Sequence, residues 1–264
     1  MYANYHTHTV RCNHARGSER EYIETAIMRG VKVLGFSDHV PYPFPGGYES
    51  GFRIPRALLE DYISTLSALK QEYAGQIEIH IGFEAEYYPM YHADLLAYLE
   101  PYPYEYLLMG QHFIGNEVDA PLYAAGLRGA QAVEQYVDQV LEGLRTGDFV
   151  YLAHPDLPSK EFDLSYYTAA MTRLCKGAKE LDIPLELNFL GLHDGRAYPC
   201  HAFWEIAGRI GNRVILGCDA HDPWMVADPK TMQMANAWIE QHNLQVIDRV
   251  NLHKPICKKT TNDD

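Results

Sequence analysis

Short apolar runs alternate with longer amphipathic segments along the whole chain, and six of the apolar runs stop at residues that can bind a metal. Such alternation is that of repeated β-α units built around a parallel sheet. Strands are predicted over Tyr2–His6, Val31–Ser37, Gln76–Glu84, Tyr104–Gly110, Phe149–Ala153, Pro184–Asn188 and Val214–Gly217. Between them lie helices with readable ends. Ser18 and Glu21 have capping-box spacing and open a helix that runs to about Arg29. Pro55 suits the first turn of a helix reaching about Tyr73, and Asp228-Pro229 opens a last one to about Gln241.

Seven histidines and two carboxylates occupy the strand ends. His6, His8 and His14 follow the first strand, His39 the second, Glu84 the third, His112 the fourth and His154 the fifth. Asp219 and His221 follow the seventh. An open doubly wound sheet gathers its ligand at one switch point, whereas a barrel aims every strand end at a common centre. The spread over six strand ends predicts a seven-stranded barrel with a multinuclear metal site, formed by a single domain over residues 1–264.

Individual positions can be read further. His6 and His8 are two apart, so in a strand both rings face one way; Asp219 and His221 repeat the spacing. Asp38 and His39 are neighbours and face opposite ways. His39 is the expected ligand, with Asp38 orienting a ring. Glu84 can bridge two ions through its two oxygens. In its strand Ile77, Ile79, Ile81 and Phe83 should pack against helices, while Glu78, His80, Gly82 and Glu84 look inward. Pro155 should hold His154 in an extended backbone.

Composition removes several alternatives. With 35 acidic and 22 basic residues the formal charge is −13, which disfavours polynucleotide binding. No apolar run approaches the ~20 residues of a membrane span. The first residues lack the pattern of a signal peptide, so the cytoplasm is the expected location. Five scattered cysteines are read as reduced packing residues. There is no G-x-S-x-G elbow and no phosphate-binding P-loop.

The opening Tyr5-His6-Thr7-His8-Thr9, then Phe36-Ser37-Asp38-His39, Gly82-Phe83-Glu84, Glu186-Leu187-Asn188 with Gly191, and Gly217-Cys218-Asp219-Ala220-His221 together resemble the PHP (polymerase and histidinol phosphatase) family. Its histidinol-phosphatase subfamily is the most similar. The resemblance covers essentially the whole chain. It implies a distorted, TIM-barrel-like (β/α)7 barrel and three divalent metal ions of iron, zinc or manganese. By matching positions, His6, His8, Glu84 and Asp219 would hold the first ion, and Glu84, His112 and His154 the second. His14, His39 and His221 would hold the third. Two stretches depart from the family pattern: Asn13-His14-Ala15-Arg16-Gly17, and Phe189-Leu190-Gly191-Leu192-His193. Both bear on the pocket wall.

The activity implied is hydrolysis of a phosphate monoester, L-histidinol phosphate, in histidine biosynthesis. A hydroxide bridging two metals would attack phosphorus, with Glu84, Asp219 and His221 as the catalytic positions. Arg16, Arg53, Lys160 and Arg196 are the basic candidates for substrate contact, with Lys160 and Arg196 the preferred pair, and Asn188 at the end of the sixth strand is placed to donate to substrate. Glu49, Glu86, Asp156 and Asp222 are candidates for meeting the substrate's ammonium. Two other readings stay open: a phosphoesterase acting on nucleotides or oligonucleotide ends, and a metal-binding module without catalysis. The sequence leaves oligomeric state open.

Overall fold

The computed structural model describes residues 1–119, 121–127, 129–158 and 164–255. Its strands are β1 (Ala3–Asn4), β2 (Val33–His39), β3 (Glu78–Ala85), β4 (Tyr106–Met109), β5 (Phe113–Ile114), β6 (Leu122–Tyr123), β7 (Leu185–Asn188), β8 (Arg213–Gly217) and β9 (Gln245–Val246). The helices are α1 (Glu19–Met28), α2 (Leu59–Glu72), α3 (His92–Leu99), α4 (Ala130–Arg145), α5 (Leu164–Glu180), α6 (Phe189–Asp194), α7 (His201–Ile210) and α8 (Pro229–His242). No helix among the described residues is long and apolar enough to cross a membrane.

Strands β1-β2-β3-β4 form one parallel ladder and β7-β8-β9 another. Leu152 joins them, bridging Met109 on one side and Leu185 on the other, and Thr7 pairs with Ala220 across the opposite gap. The result is a curled parallel sheet flanked by helices. The count differs from the expected seven. Phe149–Ala153 contributes only a bridging residue, β9 is an extra edge strand, and β5-β6 is an antiparallel hairpin outside the parallel set. A strand so short leaves no periodicity for a sequence reading to detect.

Residue alternation divides the core in two. Ile77, Ile79, Ile81 and Phe83 pack outward with Tyr62, Leu66 and Leu69 of α2, as the strand pattern predicts. A smaller inner cluster, including Tyr5, Tyr106, Leu108 and Tyr151, fills the inside of the curl. Tyr106 donates its hydroxyl to the Tyr5 carbonyl at 2.8 Å. These rings form the layer on which the strand-end side chains stand. The predicted caps are present: Ser18 and Glu21 complete the capping box of α1, and Asp228 caps α8 through the Thr231 N–H.

Candidate metal centre

All nine predicted strand-end residues meet at one end of the curled sheet. Glu84 is at the centre, 1% exposed. Its Oε2 lies 3.5 Å from both His6 Nε2 and His8 Nε2 and 3.0 Å from His39 Nδ1. Its Oε1 faces the other way, 2.9 Å from His154 Nε2 and 3.6 Å from His112 Nε2. Asp219 Oδ1 adds a second acid, 3.1 Å from His8 Nε2 and 3.5 Å from His6 Nε2. At the edge, His14 Nε2 and His221 Nε2 approach to 3.0 Å, and His39 joins them in a second compact donor group.

Three of the rings are fixed from behind by a carboxylate. His6 Nδ1 is 2.8 Å from Glu186 Oε1 and His112 Nδ1 is 2.8 Å from Glu86 Oε1. His8 Nδ1 is 3.3 Å from Asp38 Oδ1, while Asp38 Oδ2 accepts from the Thr9 N–H at 3.0 Å. Asp38 thus has the orienting role expected of it. Such partners set which ring nitrogen carries the proton and leave the other lone pair facing inward.

The backbone makes room for these acids. A Cβ at Gly110 would stand 1.8 Å from Glu84 Oε1, and one at Gly217 would stand 1.7 Å from Glu186 Oε1. Two of the six described non-glycine residues with positive φ belong to the centre: Asp219 at 48° and His154 at 29°. The second corrects the extended backbone expected before Pro155. The His154 N–H donates to Glu186 Oε2 at 3.1 Å, and this bond holds the residue against its local preference. Non-glycine residues in this region cost on the order of 1–3 kcal/mol and concentrate at functional sites.

The donor set fits divalent ions. His6 Nε2, His8 Nε2 and His39 Nδ1 are buried without a hydrogen-bond partner, an arrangement that is rare unless a cation satisfies it. Burial pushes the His39 imidazole down to about 4, against the pull of Glu84. Burial, with His8 and His14 nearby, holds His221 well below its ordinary value. Burial opposes ionisation of Glu84 and Asp219, but the surrounding histidines outweigh it and hold both well below the carboxylate range.

The centre opens into a cavity of about 700 Å³ whose wall includes Arg16, Phe52, Phe113, Tyr123, Arg196 and Trp224. Two of the expected substrate contacts, Arg16 and Arg196, line it. Lys160 lies outside the described residues. Asn188 departs from the expectation: its amide nitrogen donates to Glu186 Oε2 at 2.9 Å and to Asp219 Oδ2 at 3.1 Å, and its oxygen caps α6 at the Gly191 N–H. It orients acids instead of facing substrate. Arg53 and Glu86 are buried against each other, with Arg53 Nη2 2.6 Å from Glu86 Oε2. Asp156 is buried on the Cys200 N–H, Glu49 pairs with Arg56 at the surface, and Asp222 caps the turn at Trp224. Sequence reasoning missed the role of Glu186. A lone acid within the fully buried run of β7, two residues from Asn188 on one face, was the available signal.

The PHP domain family model matches residues 4–189, and the chain belongs to that family. Over 232 residues, 83% of this chain and 85% of the other, it is 28% identical to a "probable histidinol-phosphatase" of Deinococcus radiodurans. Over 118 residues, 42% of this chain and 44% of the other, it is 31% identical to the histidinol-phosphatase of Bacillus subtilis. Among solved structures, the histidinol phosphate phosphatase of Lactococcus lactis, crystallised with zinc, L-histidinol and phosphate, matches with a TM-score of 0.73. That match covers 95% of this chain and 98% of the other at 18% identity, and it bears on the fold.

Proposed function

We propose that the chain is a metal-dependent phosphate-monoester hydrolase whose substrate is L-histidinol phosphate, acting as a single domain over residues 1–264. The observation that carries this reading is the placement of Glu84, with one oxygen toward His6, His8 and His39 and the other toward His112 and His154. A carboxylate so placed suits two adjacent ions. His6, His8, Glu84 and Asp219 would hold one and Glu84, His112 and His154 a second; His14, His39 and His221 would hold a third, giving a trinuclear centre of iron, zinc or manganese. Family membership and the names of the relatives support the activity. We also read the curled sheet as a distorted seven-stranded barrel in which Phe149–Ala153 is the fifth strand.

When bound, the ions supply charge neutralisation at the phosphate and a water ionised near neutral pH. The chain's own residues bind and orient. Arg196 Nη2 is paired with Asp194 at 3.0 Å and Nη1 with the Tyr198 hydroxyl at 3.0 Å, which aims a half-exposed guanidinium along the cavity wall for phosphate oxygens. Arg16 faces the same space, and the aromatic wall suits the imidazole of the substrate. The assignment is tested by stripping the protein of metal, restoring zinc, manganese or iron singly, and measuring phosphate release from L-histidinol phosphate and a nucleotide panel. Hydrolysis of L-histidinol phosphate that requires metal is expected. Faster turnover of a nucleotide, or no turnover with any metal, overturns the reading.

A further inference from the structure

Behind His112 lies a second group of buried charges that contributes nothing to the cavity wall. Arg53 is 2% exposed. Its Nη2 donates to Glu86 Oε2 at 2.6 Å and to Glu117 Oε2 at 2.5 Å, and its Nε donates to Glu117 Oε2 at 2.9 Å. The guanidinium also lies over the rings of Phe52 and Tyr42, at 4.7 and 5.2 Å from their centroids. Glu86 and Glu117 are both buried. One cation and two anions removed from water are costly to assemble. The assembly therefore calls for an account of what it holds in place.

The connection runs through Glu86. Its Oε2 is held by Arg53, and its Oε1 is 2.8 Å from His112 Nδ1. Glu86 Oε2 accepts from the Arg53 guanidinium, which leaves Oε1 as the acceptor facing His112 Nδ1, so the ring turns its Nε2 toward the centre. That Nε2 faces Glu84 Oε1 at 3.6 Å. Glu117, on the far side of the guanidinium, follows β5, whose Phe113 lines the cavity. Arg53 is thus fixed between a wall segment and the partner of a candidate ligand.

We propose that Arg53 is a positioning residue for the metal centre: clamped between Glu117 and Glu86, it fixes the tautomer and ring plane in which His112 offers Nε2 to the ion shared with Glu84 and His154. The inference rests on His112 being a ligand, as assigned above. Three features separate it from a purely structural ion pair. Two N–H groups of Arg53 converge on Glu117 Oε2, its reach to Glu86 is a single bond, and no described side chain other than Arg53 donates to Glu86 Oε2.

The experiment titrates metal-stripped wild type, Arg53→Met, Arg53→Lys, Glu86→Gln and Arg53→Met/Glu86→Gln with Mn²⁺ or Zn²⁺ against a chromophoric chelator. Arg53→Met is expected to weaken one of the bound ions by about 10- to 100-fold, with Arg53→Lys recovering part of the loss by keeping the charge without the fork. The double variant should match the weaker-binding single variant, because both changes cut one path. Ring ¹⁵N shifts of His112 should report Nδ1–H in the wild type and a tautomer mixture in Arg53→Met. A variant that merely melts earlier, with unchanged ion affinity and unchanged His112 shifts, overturns the proposal; so do additive single effects. Where Arg53→Met does not fold, Arg53→Met/Glu117→Gln removes one charge of each sign and carries the same expectation. Failure of the wild type itself to take up ions would sink the metal-centre reading, whereas normal uptake by wild type and variants alike would sink only the role of Arg53.

Discussion

The floor of the cavity and its rim are held in opposite ways. On the floor, Glu84, Asp219, His6 and His8 are buried, and a further layer of acids (Asp38, Glu186, Glu86) fixes the rings from behind. On the rim, Arg196 is tied to Asp194 and Tyr198, Trp224 packs edge-on against His193, and Tyr123 and Trp224 are more than a third exposed. Floor side chains have no alternative partner, because a misplaced buried charge costs several kcal/mol. Rim side chains exchange protein partners for water at little cost. Groups on the floor are therefore held in place, and groups on the rim can change without disturbing them.

This contrast can be broken by substitution. The largest effect is expected from Glu84→Ala, which should remove bound metal and lower phosphatase activity by at least about 10³-fold; elemental analysis beside a phosphate-release assay checks both. Retention of full metal content would contradict the central place given to Glu84. Gly110→Ala tests the same point without touching a donor, since the added methyl would overlap Glu84 Oε1. It should approach the effect of Glu84→Ala while the far-ultraviolet spectrum stays native.

One layer further out, Glu186→Gln should reduce metal affinity or kcat by about 10- to 100-fold, because His6 Nδ1, the His154 N–H and Asn188 all lean on that carboxylate. A rim change should look different in kind. Arg196→Ala is expected to raise KM by about tenfold with kcat nearly unchanged, and a steady-state analysis showing the loss in kcat instead would place Arg196 with the floor. The smallest effect lies away from both. Glu105 is held down to about 2: burial opposes ionisation, and bonds from His80, Lys70 and the Ile81 N–H outweigh it. A depressed carboxyl stabilises the fold above its unfolded value of 4.5 and loses that contribution as pH falls toward 2. Glu105→Gln should cost under about 1 kcal/mol at neutral pH after solvent screening, and denaturant melts should show the gap to wild type closing in acid. A constant gap would rule the group out as a source of acid sensitivity.

The sequence made the floor legible and the rim much less so. His6-Thr7-His8 and Asp219-Ala220-His221 could be placed because strand alternation alone puts each pair on one face. Glu84 followed from the inward face of β3, and the helix ends at Ser18 and Asp228 from cap chemistry. What failed were statements about partners. Arg53 and Glu86 read as free charges for a substrate, yet they neutralise each other; Asn188 read as a donor for substrate, yet its amide is engaged with Glu186 and Asp219. A linear chain displays charges without their counterparts. The left-handed His154 was missed for the same reason, since the bond to Glu186 that sets it comes from a segment 32 residues away.

The pairing of Thr7 with Ala220 has a consequence for biosynthesis. It stitches the segment of His6 and His8 to that of Asp219 and His221, so a nascent polypeptide can bring all nine candidate donors together only after residue 221 has left the ribosome. A fragment ending at residue 189, where the family match stops, would have most of the donors and lack Asp219 and His221.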